Sequence, residues 1–438
     1  MMGAMSVALL TAVSCSQTET DFDVVGGGSD SQVALGVSAT VNTGNATRAV
    51  VDYKKITYPI GNYADAWCAP GLGVVLTNKA GTNWYNDDLS VYGGNHIWFM
   101  GDENGTGWVS ITDKGANFSA ATKKDYNLST EVGRVYAYYP YDASISSTTP
   151  PGGTKLPTGE NDFTEADLKI PVTVKAIGTI DAAISNADKT WDGASWVNKT
   201  SPYLVTLADL EEKDYMYFDG KNGSGDVRRY VNNGHAGNAA ASNDNTDDTN
   251  PGYSITLAMK HALSMVSFRV YDGGNLGTAG QVKFTKFKIE DQTGAQLLNT
   301  AAGTMQIADG ALGFASTTAG SIERNITNYT LVQQILSGTE GEYKFIEQAG
   351  VTGGAVSKIV SAVVYPTTFS TAGQSLKLTI TLQDGANTPQ DYTVNIPAND
   401  WKANSNYLYT LSAGRNKLNI VSVDVTEWTV ENAGELPL

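Results

Sequence analysis

Residues able to do chemistry are scarce in this sequence. His96, His235 and His261 are its only imidazoles, and Cys15 and Cys68 its only thiols. Two cysteines exclude a metal site built on several thiolates, and their spacing excludes a CxxC redox pair. No GxSxG elbow, HExxH pair, phosphate-binding Gly-rich loop or GxGxxG turn opening a helix is present. His261, in AMKHALS, stands at the start of a strand-like run and reads as a structural or domain-boundary contact rather than a catalytic base. The acidic stretch Asp244–Asp248 (DNTDD) lacks the spaced oxygen ligands and distal Glu of a calcium loop, so it reads as a solvated loop. Trp67, Trp84, Trp98, Trp108, Trp191 and Trp196 could stack on sugar rings, although packing is the commoner duty of tryptophan. The chain is therefore read as a non-enzyme, with no cofactor and no metal.

The elements that would hold these residues follow from composition. Across 438 residues, 29 Lys+Arg stand against 45 Asp+Glu, a net charge of −16, and only 17% of residues are charged. That is below the roughly 25% of an average globular protein. Combined with 46 Gly and 22 Tyr, it is the mix of a strand-and-turn protein. The acidic balance, with no cluster of Lys and Arg, argues against a nucleic-acid partner. No apolar run reaches the ~18–20 residues of a membrane span. The length suggests two to three domains, each able to bury a core.

Cys15 closes a short apolar stretch, MSVALLTAV, after the small residue Ser14, and precedes the polar run SQTETD. This is the layout of a bacterial lipoprotein signal, whose cysteine is acylated after cleavage. No Lys or Arg stands among the first ten residues, so the start of translation is expected a few residues upstream. Residues 16–32 read as a flexible tether. In QVALGVSATV, Val33, Leu35, Val37, Ala39 and Val41 fall on alternate positions, which predicts a strand with one buried face. It ends in the loop NTGNATR, closed by Arg48. Short apolar runs bounded by turn residues then continue for about 370 residues, the pattern of Greek-key sandwiches. The segment TLADLEEKDYMYF is the one candidate helix, and a linker is expected between Asp219 and Tyr253. At the far end, LNIVSVDVTEWTV alternates at Val421, Val423 and Val425, then shifts phase to Trp428 and Val430. That shift predicts a bulge or break near Thr426–Glu427 in an edge strand open to another chain.

Taken together, the sequence resembles the fimbrillin-like (Mfa-like) pilus subunits of Bacteroidales. The resemblance is carried by Cys15 ahead of a polar tether and by the ATRA segment, Ala46–Ala49. It is also carried by VYAYYPY (Val135–Tyr141), DYMYF (Asp214–Phe218), KHALSMVSF (Lys260–Phe268), and Trp401, Tyr407 and Tyr409 followed by LNIVSVDVTEW. It implies an all-β chain of two tandem transthyretin-like, Greek-key β-sandwich domains. It further implies export as an outer-membrane lipoprotein precursor anchored through Cys15, cleavage between Arg48 and Ala49 by a trypsin-like, arginine-specific protease, and strand-exchange polymerisation into an extracellular fimbrium. Partners would be other copies or related pilus subunits, head to tail, with host or bacterial surface ligands for the finished fibre.

The expected division is a signal over 1–15, a tether over 16–32, and a removable strand and cleavage loop over 33–48. An N-terminal sandwich over 49–235, a C-terminal sandwich over 236–416 and a donor strand over 417–438 follow. In this scheme the self-strand, with Val33, Leu35, Val37 and Val41 inward, fills a groove in its own N-terminal domain until the chain is cut. The donor strand, through Val421, Val423, Val425, Trp428 and Val430, then fills that groove in a neighbour, as in a stalk subunit. Cutting is needed because an intramolecular strand has a high effective concentration. The competing reading is a surface-anchored glycan-binding lipoprotein, which would need neither the Arg48 loop nor the matching C-terminal strand.

Overall fold

The computed structural model describes residues 33–41, 71–85, 96–101, 108–111, 126–141, 164–182, 189–191, 196–198, 204–205, 213–222, 225–233, 251–273, 276–277, 281–292, 297–315, 320–333, 336–337, 344–345, 358–369, 373–396, 398–415 and 417–427. These residues are almost wholly β. They hold no α-helix, hence none long and apolar enough to cross a membrane, and a single 3-10 turn at Glu165–Asp167.

In chain order the principal strands are β1 (Gly36–Val41), β2 (Leu72–Asn78), β3 (His96–Gly101), β4 (Trp108–Ile111), β5 (Gly133–Tyr139), β6 (Ile177–Asp181), β7 (Met216–Phe218) and β8 (Ser254–His261). They continue with β9 (Ser264–Asp272), β10 (Val282–Asp291), β11 (Ser321–Thr327), β12 (Ile359–Val364), β13 (Leu376–Asp384), β14 (Gln390–Ile396), β15 (Ser405–Gly414) and β16 (Lys417–Glu427). One sheet runs β1-β8-β7-β5-β2-β3-β4. A second runs from the short strand Leu204–Val205 through β12, β9 and β15 to β16. A third runs β14-β13-β10-β11-β6.

The second and third sheets face each other across a core built by alternation. Val266, Phe268 and Val270 of β9 and Tyr407, Tyr409 and Leu411 of β15 meet Phe284, Phe287 and Ile289 of β10 and Leu378 and Ile380 of β13. The Phe268 ring lies 4.9 Å from that of Phe287. In β10 the inward positions slip from Phe284 to Phe287 because the pairing with β13 carries a bulge between Phe284 and Lys286. The first sheet buries its own apolar face with Leu72, Val74, Leu76, Ile97, Phe99, Val135, Ala137, Ile255, Leu257 and Met259.

A third core joins the two halves. Val75, Tyr136 and Tyr138 on the back of the first sheet pack with Leu168, Ile170, Met265, Met305, Val363 and Tyr365. Tyr138 lies flat over β2 only because position 73 is glycine: a Cβ there would sit 2.1 Å from the ring. The strand Lys169–Val172, which helps to form this core, pairs antiparallel with Gly303–Gln306.

The chain crosses between the halves through β8 and β9, separated only by the buried Ala262 and Leu263. This explains the loss of alternation after Met259. Met265 faces the shared core while Val266 and Phe268 face the sandwich, so β9 buries apolar side chains on both sides.

Sheet membership crosses the sequence position between 235 and 236. β8 belongs to the N-terminal sheet, whereas β6 adds a parallel edge to β11, and Leu204–Val205 pairs parallel with β12. Of the expected helix, residues 206–212 lie outside the described residues; Lys213–Tyr215 are in no helix and Met216–Phe218 are strand, because Met216 and Tyr217 are pinned between β5 and β8. Tertiary pairing overrides the weak helical spacing there.

Candidate strand-exchange site

The segment Val33–Val41 is held by two partners. Val33–Ala34 pairs antiparallel with Asn127–Leu128, and the Leu35 amide donates to the Tyr126 carbonyl at 2.8 Å. At Gly36 the partner changes. From Gly36 to Val41 the chain runs parallel to Ser254–Met259, opening with a 2.9 Å bond from the Gly36 amide to the Tyr253 carbonyl. Glycine is required at this switch, since a Cβ at residue 36 would lie 2.8 Å from the Ser254 Cβ.

Leu35 and Val37 point inward and are 5% and 9% exposed, with Ala39 packed beside them. The groove they fill is lined by Ile255, Leu257, Met259, Tyr126 and Leu128, all buried. On the outer side the hydroxyls of Ser38 and Thr256 are 2.9 Å apart. Each fully buried Leu or Val contributes roughly 1.5–3 kcal/mol, and each backbone bond about 0.5–1.5 kcal/mol. β1 is the edge of its sheet, and the sheet curls so that β1 approaches the opposite edge strand, β4.

The site is almost free of charge. Val33–Val41 contains no ionisable residue. Burial pushes the Tyr126 hydroxyl well above its usual range, with the nearby Tyr85 adding to the effect. Charge collects at the junction end of β8, where Lys260 pairs with Asp219 at 2.5 Å. There the buried His261 Nδ1 also lies 2.8 Å from Asp214 Oδ1, and the His261 amide donates to Asn404 Oδ1 at 3.2 Å. His261 is thus a contact at the domain junction.

The C-terminal strand sits elsewhere in the molecule. β16 is the edge of the second sheet and pairs antiparallel with β15 of its own chain. Leu418 is buried, and Ile420 and Val423 pack against the sandwich core. The expected irregularity near Thr426–Glu427 is corrected: the strand runs unbroken through those residues, and the register slips at Val421 instead. Leu411 faces Ile420 and Thr410 faces Ser422, which leaves Val421 without an opposite residue. Val421 is therefore 37% exposed and Val425 is 51% exposed, and of the three alternating valines only Val423 packs against the core.

Cys15, Cys68, the tether, Arg48, Ala49, Trp428 and Val430 lie outside the described residues, as does Trp67. Trp98 is 6% exposed and stacks on Tyr141 at 5.1 Å, so it is packing and not an open sugar platform. No group of three or more His, Cys, Asp or Glu able to hold a metal occurs among the described residues.

The alternation of 33–41 and of 421–425 is legible in sequence, but three parts of the site are not. These are Gly36 as the switch point, Tyr126 as a partner, and Ser254–Met259 as the wall of the N-terminal groove. A lone glycine inside an alternating strand is the available signal, since it marks a close backbone approach.

Residues 238–428 match the fimbrillin-like family. No curated protein matches the chain. Among solved structures the chain is similar to a fimbrial protein from Bacteroides vulgatus, with 14% identity over 91% of this chain and 100% of that one, at a TM-score of 0.47. It is also similar to a fimbrial assembly protein from Parabacteroides distasonis, with 12% identity over 90% of this chain and 98% of that one, at a TM-score of 0.32. At such identities and TM-scores neither structure adds weight beyond the family match. The likeness to the fimbrillin-like family thus rests on residues 238–428, the C-terminal part of the chain.

Proposed function

We propose that this chain is a structural pilin of a cell-surface adhesive fimbrium, made as a lipoprotein precursor with its lipid on Cys15. In this reading an arginine-specific protease cuts between Arg48 and Ala49, and the subunits then polymerise by strand exchange as stalk units. The observation that carries the reading is the seat of β1. An uncharged edge strand lies in parallel register on β8, which would become the sheet edge without it, a short way ahead of an arginine-closed loop. Such a strand is a removable plug, because the edge beneath it offers a row of backbone donors and acceptors over an apolar groove.

The incoming strand is β16 of a neighbour. To reach out, it leaves β15 by turning about the Gly414–Lys417 hairpin, so its half-exposed valines become the inward residues. Head-to-tail contacts of this kind need not close, and so they build a filament.

The test is limited trypsin digestion of the full chain, followed by electrophoresis without heating. Cleavage after Arg48 should yield a ladder of heat-sensitive multimers, and Arg48→Ala should yield none. An intact Arg48–Ala49 bond while other sites are cut, or a trimmed protein that stays monomeric at high concentration, contradicts the reading.

A further inference from the structure

We propose that the parallel pair β9–β15 is a mechanical clamp, carrying tension from a subunit's groove to its donated strand with every loaded strand pair pulled in shear. This rests on the strand-exchange reading for its role in a fibre, but its physical basis lies in the connectivity of the folded chain.

The wall of the groove, β8, continues through the buried Ala262 and Leu263 into β9. β9 runs parallel to β15 in unbroken register, from Ser264 opposite Ser405 to Asp272 opposite Ala413. β15 then leads through Gly414–Lys417 into β16. Tension entering at the groove therefore reaches β9 at its N-terminal end, Ser264. Tension leaving through a donated β16 acts on β15 at its C-terminal end, Gly414. Two parallel strands held at opposite ends must slide past one another, so their hydrogen bonds share the force and yield together. Two strands held at the same end peel apart one bond at a time.

The groove repeats this geometry. A strand seated as β1 is seated, parallel to β8, is held at its N-terminal end by the subunit that donates it. β8 is held at its C-terminal end by β9. An antiparallel seat would place both loads at the same end and would unzip.

Side chains reinforce the clamp. Ser267 Oγ donates to Asn406 Oδ1 at 2.7 Å across β9–β15, and Ser361 Oγ from β12 lies 2.9 Å from Ser267 Oγ. At the loaded end of β9, Ser264 Oγ donates to the Lys402 carbonyl at 2.7 Å, and the Asn404 amide to the Leu263 carbonyl at 3.0 Å. On the core side Phe268 stacks on Tyr409 at 5.7 Å, which keeps water from the pair.

The experiment is single-molecule pulling of the full chain in a Cys15→Ser, Cys68→Ser background, with handles on introduced cysteines. Thr256→Cys with Arg415→Cys, at an exposed position on β8 and in the β15–β16 hairpin, loads the pair from opposite ends. Thr278→Cys, in the segment after β9, with Arg415→Cys loads it from the same end. Both proteins are first checked by thermal melting. The expected result is a several-fold higher unfolding force for the first pair, lowered by Ser267→Ala, while the second pair stays low with or without that substitution. Equal forces, or the higher force in the second geometry, overturn the clamp. The readout uses monomers, so its failure leaves the multimer test of strand exchange standing, and failure of that test leaves the measured forces standing.

Discussion

The two ends of the described chain carry Val-bearing, alternating edge strands that are seated in opposite ways. β1 lies parallel on a strand more than two hundred residues away and buries Leu35 and Val37. β16 folds back antiparallel on its own predecessor, β15, across a tight hairpin. It carries a register slip at Val421 and leaves Val421 and Val425 exposed. The first strand is fully seated on a partner remote in sequence, so a cut between them would make it separable. The second is half engaged: anchored at Leu418, apolar and unburied farther along. Alternation thus identifies a strand but not its partner, and the degree of burial separates a fully seated strand from a partly seated one.

The strongest way to break this comparison is to charge the exposed valines. With Val421→Asp and Val425→Asp together, the monomer should lose no more than about 0.5 kcal/mol, as for ordinary surface changes. Multimers after trypsin should nonetheless disappear, because both carboxylates would enter a neighbour's apolar groove. Unchanged ladders would show that these valines do not enter it.

Next in size is the anchor of β16. Leu418→Ala should cost about 2–4 kcal/mol of stability, as buried leucine truncations do, and denaturant unfolding measures it. A cost near zero would mean that β16 is already detached in the monomer.

Gly36→Val forces a Cβ against Ser254 and should cost about 1–3 kcal/mol, the usual range for overpacking. Hydrogen exchange should then accelerate over residues 33–41 and 254–259 while β9 and β15 stay protected. Unaltered exchange in β1 would remove the glycine switch from the account.

The smallest effect expected lies outside both strands. Glu165 accepts from Tyr136 Oη at 2.6 Å and pairs with Arg134 and Arg229. Burial alone would raise its pKa, but the Tyr136 hydrogen bond and the two guanidinium groups outweigh it and hold the carboxyl below its ordinary 4.5. A depressed carboxylate stabilises the fold above its unfolded value, and that stability is lost as pH falls through the folded value. Stability should therefore drop modestly with acid below about pH 4.5, since the side chain is 35% exposed and screened. Glu165→Gln should flatten the curve in that window only, as followed by thermal melts across pH.

Local patterns made much of this molecule legible. The all-β class, the strand at 33–41, the strand-like run beginning at Ile255 and the C-terminal edge strand all follow from alternation and turn residues. What stayed hidden depends on contacts between distant segments. Ile177–Asp181 and Lys169–Val172 read like any other short strands, and nothing local says that they extend or cover the C-terminal half. Met216–Phe218 has helix-like neighbours and becomes strand only because β5 and β8 flank it. The phase of β16 could not be placed because the bulge is set by its pairing with Thr410 and Leu411. Of the site, the plug was visible, while its seat and the glycine that fits it there were not.

The central claim is that the edge of β8 holds the chain's own strand first and a neighbour's strand later. Ser38 and Thr256 face each other across that edge at 2.9 Å, so Ser38→Cys with Thr256→Cys, in a Cys15→Ser, Cys68→Ser background, can bolt the plug in place with a disulfide. After trypsin cleavage, the oxidised protein should remain monomeric and should form the heat-sensitive ladder once a reductant is added. A ladder that forms equally well with the disulfide intact would contradict the account.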